Sequence, residues 1–207
     1  TDLAPVLINL SYAMVLTGEF RHARLLTEEA EGWARRGGSN TLVLSRALNA
    51  RALVEVYDNH PRDALRYAGR ALDVAGGVHA PRLHGLIYMT RARAHRYLMV
   101  TEIEEDTSPP LAATRGSIMG EEALKDANQA VNLLKSSPAD RIAALIERGC
   151  LYREIARGYV HKHDSVTMVQ VVRRSEEDLR RAAMVASAMH LPDQAAAAWV
   201  NLGWLWY

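Results

Sequence analysis

Residues 199–206 read WVNLGWLW and carry the strongest fold signal in this sequence. Within them, Trp199, Leu202, Gly203 and Trp206 follow the spacing W-x2-L-G-x2-W, which is compatible with one broad face of an α-helix. Large side chains fill the space between helices, and a glycine lets the backbone of a second helix come close. The stretch therefore predicts a helix that packs tightly on neighbouring helices.

The same spacing recurs earlier in the chain. Leu145, Gly149 and Tyr152 stand at the bulky, small and bulky positions of that motif. Other segments carry small residues seven apart, as expected for the second helix of a closely packed pair. These small-residue positions are Ala23 and Ala30; Ala64, Ala68 and Ala71; Ala123, Ala127 and Ala130; and Leu179, Ala183 and Ala186, with leucine in the first place. The alternation predicts an internal repeat of helix pairs.

Together these motifs resemble the tetratricopeptide repeat, whose first helix carries W-x2-L-G-x2-Y. The resemblance implies an all-α fold, a right-handed superhelix of antiparallel helix pairs with about nine helices in total. Ala23 and Ala64 are 41 residues apart and the later intervals are longer, whereas a strict repeat of the family has about 34 residues. Because many helical solenoids share such a pattern, another paired-helix array stays open.

Apolar periodicity and stop signals set the expected boundaries. Gly37-Gly38 and Gly76-Gly77 are typical helix ends, and proline is typical of the first helical turn. The expected pairs cover residues 3–36, 41–76, 81–135 and 138–189, followed by an unpaired helix over 192–207. We expect an irregular insertion over 101–120, an irregular loop over 161–174, and an N-terminal cap at Ser175 paired with Asp178.

The unpaired final helix predicts an open apolar side with Trp199, Leu202 and Trp206. Terminal repeats in such arrays usually carry a polar cap, and this helix has none. We therefore expect the chain to be part of a longer protein. Self-association through this helix is a further possibility.

In the family that the sequence resembles, the first helices of the pairs line a concave groove. Transferring that register yields a set of groove positions rich in arginine and aromatic residues, which suit a peptide with carboxylates and backbone carbonyls. The expected groove residues are Tyr12, Arg46, Asn49, Tyr57, Arg93, Arg96, Tyr97, Arg153 and Trp204, with Ile8, Leu53, Met89, Ile146, Cys150, Glu154, Val200 and Tyr207 beside them. An ordinary solvated helix face is the alternative. Leu53 stands where the chaperone-tail-binding members of the family need asparagine, so that role is not supported.

Composition excludes several classes of protein. The formal net charge is +1, with 25 Lys and Arg against 24 Asp and Glu, so we expect no direct nucleic-acid partner. One cysteine, Cys150, allows no internal disulfide and no thiolate metal site. No apolar run reaches the roughly 18 residues that a membrane span needs, and a cytoplasmic location fits.

No pattern of catalytic or metal-binding residues emerges. His161, His163 and Asp164 lie close together but lack the spacing of a metal motif, so we expect no metal site and no cofactor. The acidic stretch from Glu102 to Asp106 is interpreted as a solvated loop, because catalytic carboxylates need rigid support. No phosphate-binding loop or nucleophile motif is present, so an enzyme is not expected.

These observations predict a protein- or peptide-binding interaction module. The irregular repeats resemble the sensor regions of multidomain bacterial signalling and transcription regulators of the maltose-regulator type. That resemblance implies a sensor or scaffold segment of a larger regulatory protein. A small-molecule effector-sensing domain and a homo-oligomerisation scaffold are the alternatives.

Overall fold

The computed structural model describes the backbone of residues 3–36, 41–105, 109–161 and 164–206, and the side chains of these residues except 102–105, 109–118 and 158–161. Over these residues no strand forms, which confirms the predicted all-α class. The helices are α1 (Ala4–Leu16), α2 (Phe20–Arg36), α3 (Thr41–Tyr57), α4 (Pro61–Ala75), α5 (Pro81–Glu105), α6 (Pro109–Leu133), α7 (Pro138–His161), α8 (Ser165–Ala188) and α9 (Pro192–Leu205).

Prolines open most of the later helices. The predicted starts at Pro61, Pro81, Pro138 and Pro192 are confirmed. Proline suits the first helical turn, because the missing N–H has no partner there and the fixed φ angle is already helical. None of the described helices combines the length and the apolarity that a bilayer crossing requires.

The expected irregular insertion over 101–120 was wrong for the backbone that is described. Helix α5 continues to Glu105 and α6 begins at Pro109, while residues 106–108 lie outside the described residues. Glutamate is a good helix former, so the acidic run extends α5 instead of breaking it. Pro109 and Pro110 open the next helix, a position that proline tolerates.

The expected irregular loop over 161–174 was also wrong, since α8 begins at Ser165. Its cap is Asp164, whose side chain accepts a hydrogen bond from the backbone N–H of Thr167 at 3.0 Å. Ser175, predicted to cap this helix, lies inside it. Its buried hydroxyl donates to the carbonyl oxygen of Gly149 on α7 at 2.7 Å, so it joins two helices.

Odd-numbered and even-numbered helices occupy different positions in the fold. Each helix packs on the next one along the chain, and the odd-numbered helices α1, α3, α5, α7 and α9 also pack on one another in sequence. Among the described residues, the even-numbered helices make no such contacts with each other. The odd-numbered helices therefore form a continuous row, and each even-numbered helix lies against its neighbours in that row.

Small residues at the helix interfaces allow this close packing. The predicted packing alanines are fully or almost fully buried: Ala23, Ala30, Ala64, Ala71, Ala123 and Ala130. A Cβ atom on Gly149 would lie 2.7 Å from Cγ of Leu179, and one on Gly85 would lie 2.6 Å from Cγ of Leu134. The pairs α5–α6 and α7–α8 thus pack so closely that a methyl group in place of either glycine would displace the leucine side chain next to it.

Candidate functional site

The central groove residues form a buried ion cluster. Arg93 Nε donates to Glu147 Oε2 at 2.8 Å, and Arg96 Nε donates to Glu147 Oε1 at 2.7 Å. Arg93 Nη1 also donates to the hydroxyl of Tyr57 at 2.9 Å. Glu147 is 5% exposed. These contacts connect α3, α5 and α7, so both guanidiniums already have a carboxylate partner.

The surroundings of Glu147 strongly favour its charged carboxylate form. Burial by itself would raise the pKa of Glu147, but the charges and hydrogen bonds of Arg96 and Arg93 lower it to about 2. A ligand carboxylate at this place would have to compete with Glu147. Recognition of a peptide by Arg93 and Arg96 stays a prediction. In the structure, their contacts with Glu147 and Tyr57 hold α3, α5 and α7 together.

Other expected groove residues differ in their accessibility. Ile8 and Asn49, expected on an open groove, are instead buried in the row of odd-numbered helices. Asn49 Oδ1 accepts no hydrogen bond from any described residue. Tyr12 is partly buried, and burial raises its pKa while the charge of the exposed Arg46 acts in the opposite direction.

Tyr97 is packed against the protein instead of being open to solvent. It contacts the buried cluster of Val56, Ala64 and Ala94. The guanidinium carbon of Arg96 lies 5.0 Å from the centre of its ring, within cation–π distance. Tyr97 therefore supports the central ion cluster from one side.

Arg153 and Trp204 meet in a cleft of about 1120 Å³ between α7, α8 and α9. This C-terminal cleft is lined by Arg153, Ala156 and Arg157 of α7, by Met168, Val169, Val172, Arg173 and Glu176 of α8, and by Asn201, Trp204, Leu205 and Trp206 after them. The lining combines apolar side chains with three arginines and one carboxylate, Arg153, Arg157, Arg173 and Glu176. Here the structure brings predicted groove residues from two different helix pairs into one open cavity.

Hydrogen bonds hold one wall of the C-terminal cleft in place. Asn201 Oδ1 accepts from Arg153 Nη1 at 3.1 Å and from the thiol of Cys150 at 3.1 Å. Glu154 accepts from Arg153 Nη2 at 2.9 Å and from Arg157 Nη1 at 3.1 Å. Burial is the main cause that raises the pKa of the Cys150 thiol, which therefore acts as a neutral donor.

Large side chains remain accessible in this cleft. Trp204 is 62% exposed, Trp206 is 66% exposed and Val169 is 60% exposed. Sequence reasoning missed the contribution of α8, since Met168, Val169 and Arg173 fell in the stretch that was expected to be irregular. The apolar spacing Val169-x2-Val172 is the signal that could have identified this wall.

The predicted packing residues of the repeat motif divide into two groups. Gly149 lies in the α7–α8 interface, and Tyr152 and Leu202 are buried. Trp199 and Trp206 are exposed, and a Cβ placed on Gly203 would meet nothing within 4 Å. Among the described residues, α9 therefore buries only part of its motif.

Three side chains outside the groove have the composition of a metal site. Ligand atoms of Glu55, Asp58 and His60 all lie within 4.8 Å of one another. However, Arg24 Nη2 lies 2.8 Å from Glu55 Oε2 and 3.1 Å from His60 Nδ1, and it also pairs with Asp58. The guanidinium of Arg24 is the cation that contacts all three side chains, and Arg51 Nε also lies 2.6 Å from Glu55 Oε1. A metal ion would have to displace Arg24.

The expectation of no metal site at His161 and His163 concerns side chains outside the described residues. The side chains of residues 102–105, and all of Asp106 and Tyr207, also lie outside them. Comparison with protein-family models and with curated proteins gives no match for this chain. A functional proposal therefore depends on the geometry of the C-terminal cleft.

Proposed function

We propose that this chain is a protein- or peptide-binding interaction module and that a peptide occupies the C-terminal cleft. The observation that carries the proposal is the pair of exposed indoles, Trp204 and Trp206, beside the basic residues Arg153, Arg157 and Arg173. Tryptophan and arginine are enriched among the residues that dominate binding energy at protein interfaces. A large exposed apolar patch with a polar rim is typical of an interaction site.

Charge indicates the class of peptide. Arg153 and Arg157 share the single carboxylate of Glu154, and Glu176 pairs with Arg180 at 2.6 Å. Arg173 has no ion-pair partner among the described residues. Positive charge therefore exceeds negative charge in the lining of the cleft. An acidic peptide with apolar or aromatic side chains would complement both the arginines and the apolar side chains of this lining.

The accessibility of the cleft favours a peptide over a metabolite. Trp204 and Trp206 are 62% and 66% exposed, whereas small-molecule sites usually enclose most of their ligand. Small-molecule effector sensing is the alternative function, and we expect it to need a more enclosed cavity.

The scaffold that we propose is a tetratricopeptide-like superhelix. Two features support it: the row of odd-numbered helices and the repeated close approach at Gly85 and Gly149. On the resemblance to bacterial regulators, we place the module in the sensor or scaffold part of a larger cytoplasmic regulatory protein.

A selection with random twelve-residue peptides displayed on phage tests the proposal. We expect enrichment of sequences that combine Asp or Glu with aromatic residues. Synthetic versions should bind the chain with a Kd on the order of 10–100 µM and change its tryptophan fluorescence. A selection that enriches no such sequences would contradict the proposal.

Two pairs of variants locate the binding. Trp204→Ala and Arg173→Glu, both in the cleft, should weaken binding of the selected peptides at least about tenfold, which is about 1.4 kcal/mol. Trp199→Ala and Arg181→Glu change the same residue types on the same helices outside the cleft lining and should leave binding unchanged. Equal effects of both pairs would mean that the peptide binds elsewhere.

A further inference from the structure

The contact between α5 and α6 contains a histidine between two carboxylates. His95 Nε2 lies 3.8 Å from Asp126 Oδ2, and His95 Nδ1 lies 4.0 Å from Glu122 Oε2. Both distances exceed the upper limit of about 3.2 Å that is usual for an N–H···O hydrogen bond. Each imidazole nitrogen therefore faces one carboxylate of α6 without bonding to it.

Burial makes these missing hydrogen bonds unfavourable. His95 is 8% exposed and Asp126 is 3% exposed. Neither His95 Nδ1 nor Asp126 Oδ2 has a hydrogen-bond partner among the described residues. Arg91 Nε lies 3.1 Å from Asp126 Oδ2, but the two atoms are not aligned for a hydrogen bond. Because a buried polar atom without a partner costs stability, the contact between these side chains is incomplete as it stands.

The next helix pair shows a completed contact of the same kind. Arg148 of α7 donates to Asp178 of α8 through Nε at 2.6 Å and through Nη2 at 2.7 Å. Tyr152 follows Arg148 by four residues. On α5, His95 follows Arg91 at the same spacing. The incomplete carboxylate contact thus coincides with an ionisable imidazole at the position that tyrosine occupies in the next pair.

The number of protons decides whether the contact of His95 can be completed. A neutral imidazole carries one N–H, so it can donate to only one of the two carboxylates. One added proton lets Nδ1–H donate to Glu122 while a second proton lies between Nε2 and Asp126 Oδ2. Both unpartnered atoms are then satisfied, whichever of His95 and Asp126 formally carries that proton.

We propose that His95, Asp126 and Glu122 form a proton-operated contact between α5 and α6. Uptake of one proton from solvent by the His95–Asp126 pair closes both gaps to hydrogen-bond distance and tightens the packing of α6 on α5. Release of that proton reopens the gaps and loosens this helix pair, whereas α7–α8, with Tyr152 in place of the imidazole, does not respond. This contact is a pH-sensitive element of the fold and is independent of the peptide site in the C-terminal cleft.

The surroundings of the pair determine the direction of the pH dependence. Burial is the main cause that raises the pKa of Asp126 to about 6, and burial lowers the pKa of His95. The charged groups that act on the pair are Arg91 of α5 and Glu122 and Lys125 of α6. Among the described residues of α3, α4 and α7, no charged group acts on either side chain. The pair therefore binds its proton below about pH 6, so the contact is closed on the acid side and open above it.

The test is a nuclear magnetic resonance titration of the full chain from about pH 4.5 to about pH 8, with isotope labels in the histidine rings and the aspartate carboxyl groups. The His95 ring signals, assigned by their loss in His95→Phe, should change with the same midpoint as the Asp126 carboxyl signal. In Asp126→Asn, that step should disappear from the His95 ring. Separate midpoints for the two groups, or a His95 step that Asp126→Asn leaves unchanged, would overturn the proposal.

Hydrogen exchange measures the change in packing. After correction for intrinsic exchange rates, amides of α5 and α6 should be protected at least about threefold more at about pH 5 than at about pH 7.5, and amides of α7 and α8 should show no such gain. His95→Phe leaves Asp126 beside Arg91 but removes the shared proton, so most of the gain should be lost. An equal gain in the variant would assign the effect to Asp126 alone, and a gain in both helix pairs would assign it to the whole fold. Either result would overturn the proposal.

Glu122→Gln and Glu121→Gln are matched variants that remove the same charge from neighbouring positions of α6. Glu122→Gln removes the carboxylate beside His95 Nδ1, so the shared midpoint should fall by at least about 0.5 pH unit. Glu121 is exposed and does not act on either member of the pair, so Glu121→Gln should change the midpoint by less than about 0.2 pH unit. Equal shifts would show that His95 does not use Glu122 and would overturn the contact as proposed.

Discussion

Arg96 donates a hydrogen bond to the buried carboxylate of Glu147 at 2.7 Å and so ties α5 to α7. Arg93 holds the other oxygen of the same carboxylate at 2.8 Å. Two residues that the sequence places in a ligand groove are therefore parts of an internal ion cluster. This relationship determines which variants can test function and which variants test stability.

Glu147→Ala should destabilise the fold by about 3–5 kcal/mol, because it leaves two guanidiniums mostly buried without their carboxylate. Urea denaturation followed by circular dichroism measures the free energy of unfolding. The control is Asp63→Ala, which removes an exposed i,i+3 pair with Arg66 and should cost less than about 1 kcal/mol. Similar losses of unfolding free energy in the two variants would show that the Glu147 cluster does not stabilise the fold.

Gly149→Ala should destabilise the protein by about 1–3 kcal/mol, since the new methyl group would meet Leu179. Gly203→Ala is the matched change on α9, and it should stabilise by about 0.5–1 kcal/mol because alanine is the better helix former and the space is open. Thermal unfolding of both variants checks the opposite signs. A loss of stability in Gly203→Ala would mean that another group already covers this face.

Asp126 should make stability depend on pH between about 4 and 6. Burial raises its pKa from 3.8 to about 6, although Arg91 Nε lies 3.1 Å from Oδ2. The folded state binds the proton more tightly than the unfolded chain does, so this contribution is fully present below pH 3.8 and is lost as the pH rises through 6. The size of the loss is about 2–3 kcal/mol.

Asp126→Asn isolates this effect from its neighbours. Burial lowers the pKa of His95, whose Nε2 lies 3.8 Å from Asp126 Oδ2, and this group contributes with the opposite sign as the pH rises. Glu122 and Lys125 also act on Asp126. The stability of wild type relative to the variant should therefore fall from about pH 4 to about pH 6.5 in urea titrations. A constant difference over that range would contradict the raised pKa.

Arg24 should keep metal ions out of the cluster of Glu55, Asp58 and His60. We expect no saturable Zn²⁺ binding at this place in the wild-type chain, so His60→Ala alone should leave Zn²⁺ calorimetry unchanged. Arg24→Ala removes the guanidinium and exposes one nitrogen and two carboxylate ligands, a donor set that zinc accepts. The variant should gain a Zn²⁺ site that His60→Ala abolishes, and a site already present in the wild type would refute this.

The helix pairs and their small-residue stripes could be predicted because they depend on local periodicity. Ala64 and Ala71 stand seven apart in the sequence and are both fully buried on α4. The errors fell where polar composition was taken to indicate a loop. Ser175 was interpreted as a cap, whereas it bonds across to Gly149, a partner that becomes adjacent only when α8 folds back on α7.

By itself, the sequence determined that the chain forms helices with one small-residue face on alternate segments, since spacing along one helix fixes which side chains share a face. Only the tertiary structure decided which arginines are paired and which border an open cleft. Arg96 meets Glu147, and Arg153 shares a cleft with Trp204 and α8, because contacts between distant segments depend on how successive helices are positioned. The same physical reason leaves Gly149 covered and Gly203 open, although the two glycines occupy the same place in the motif.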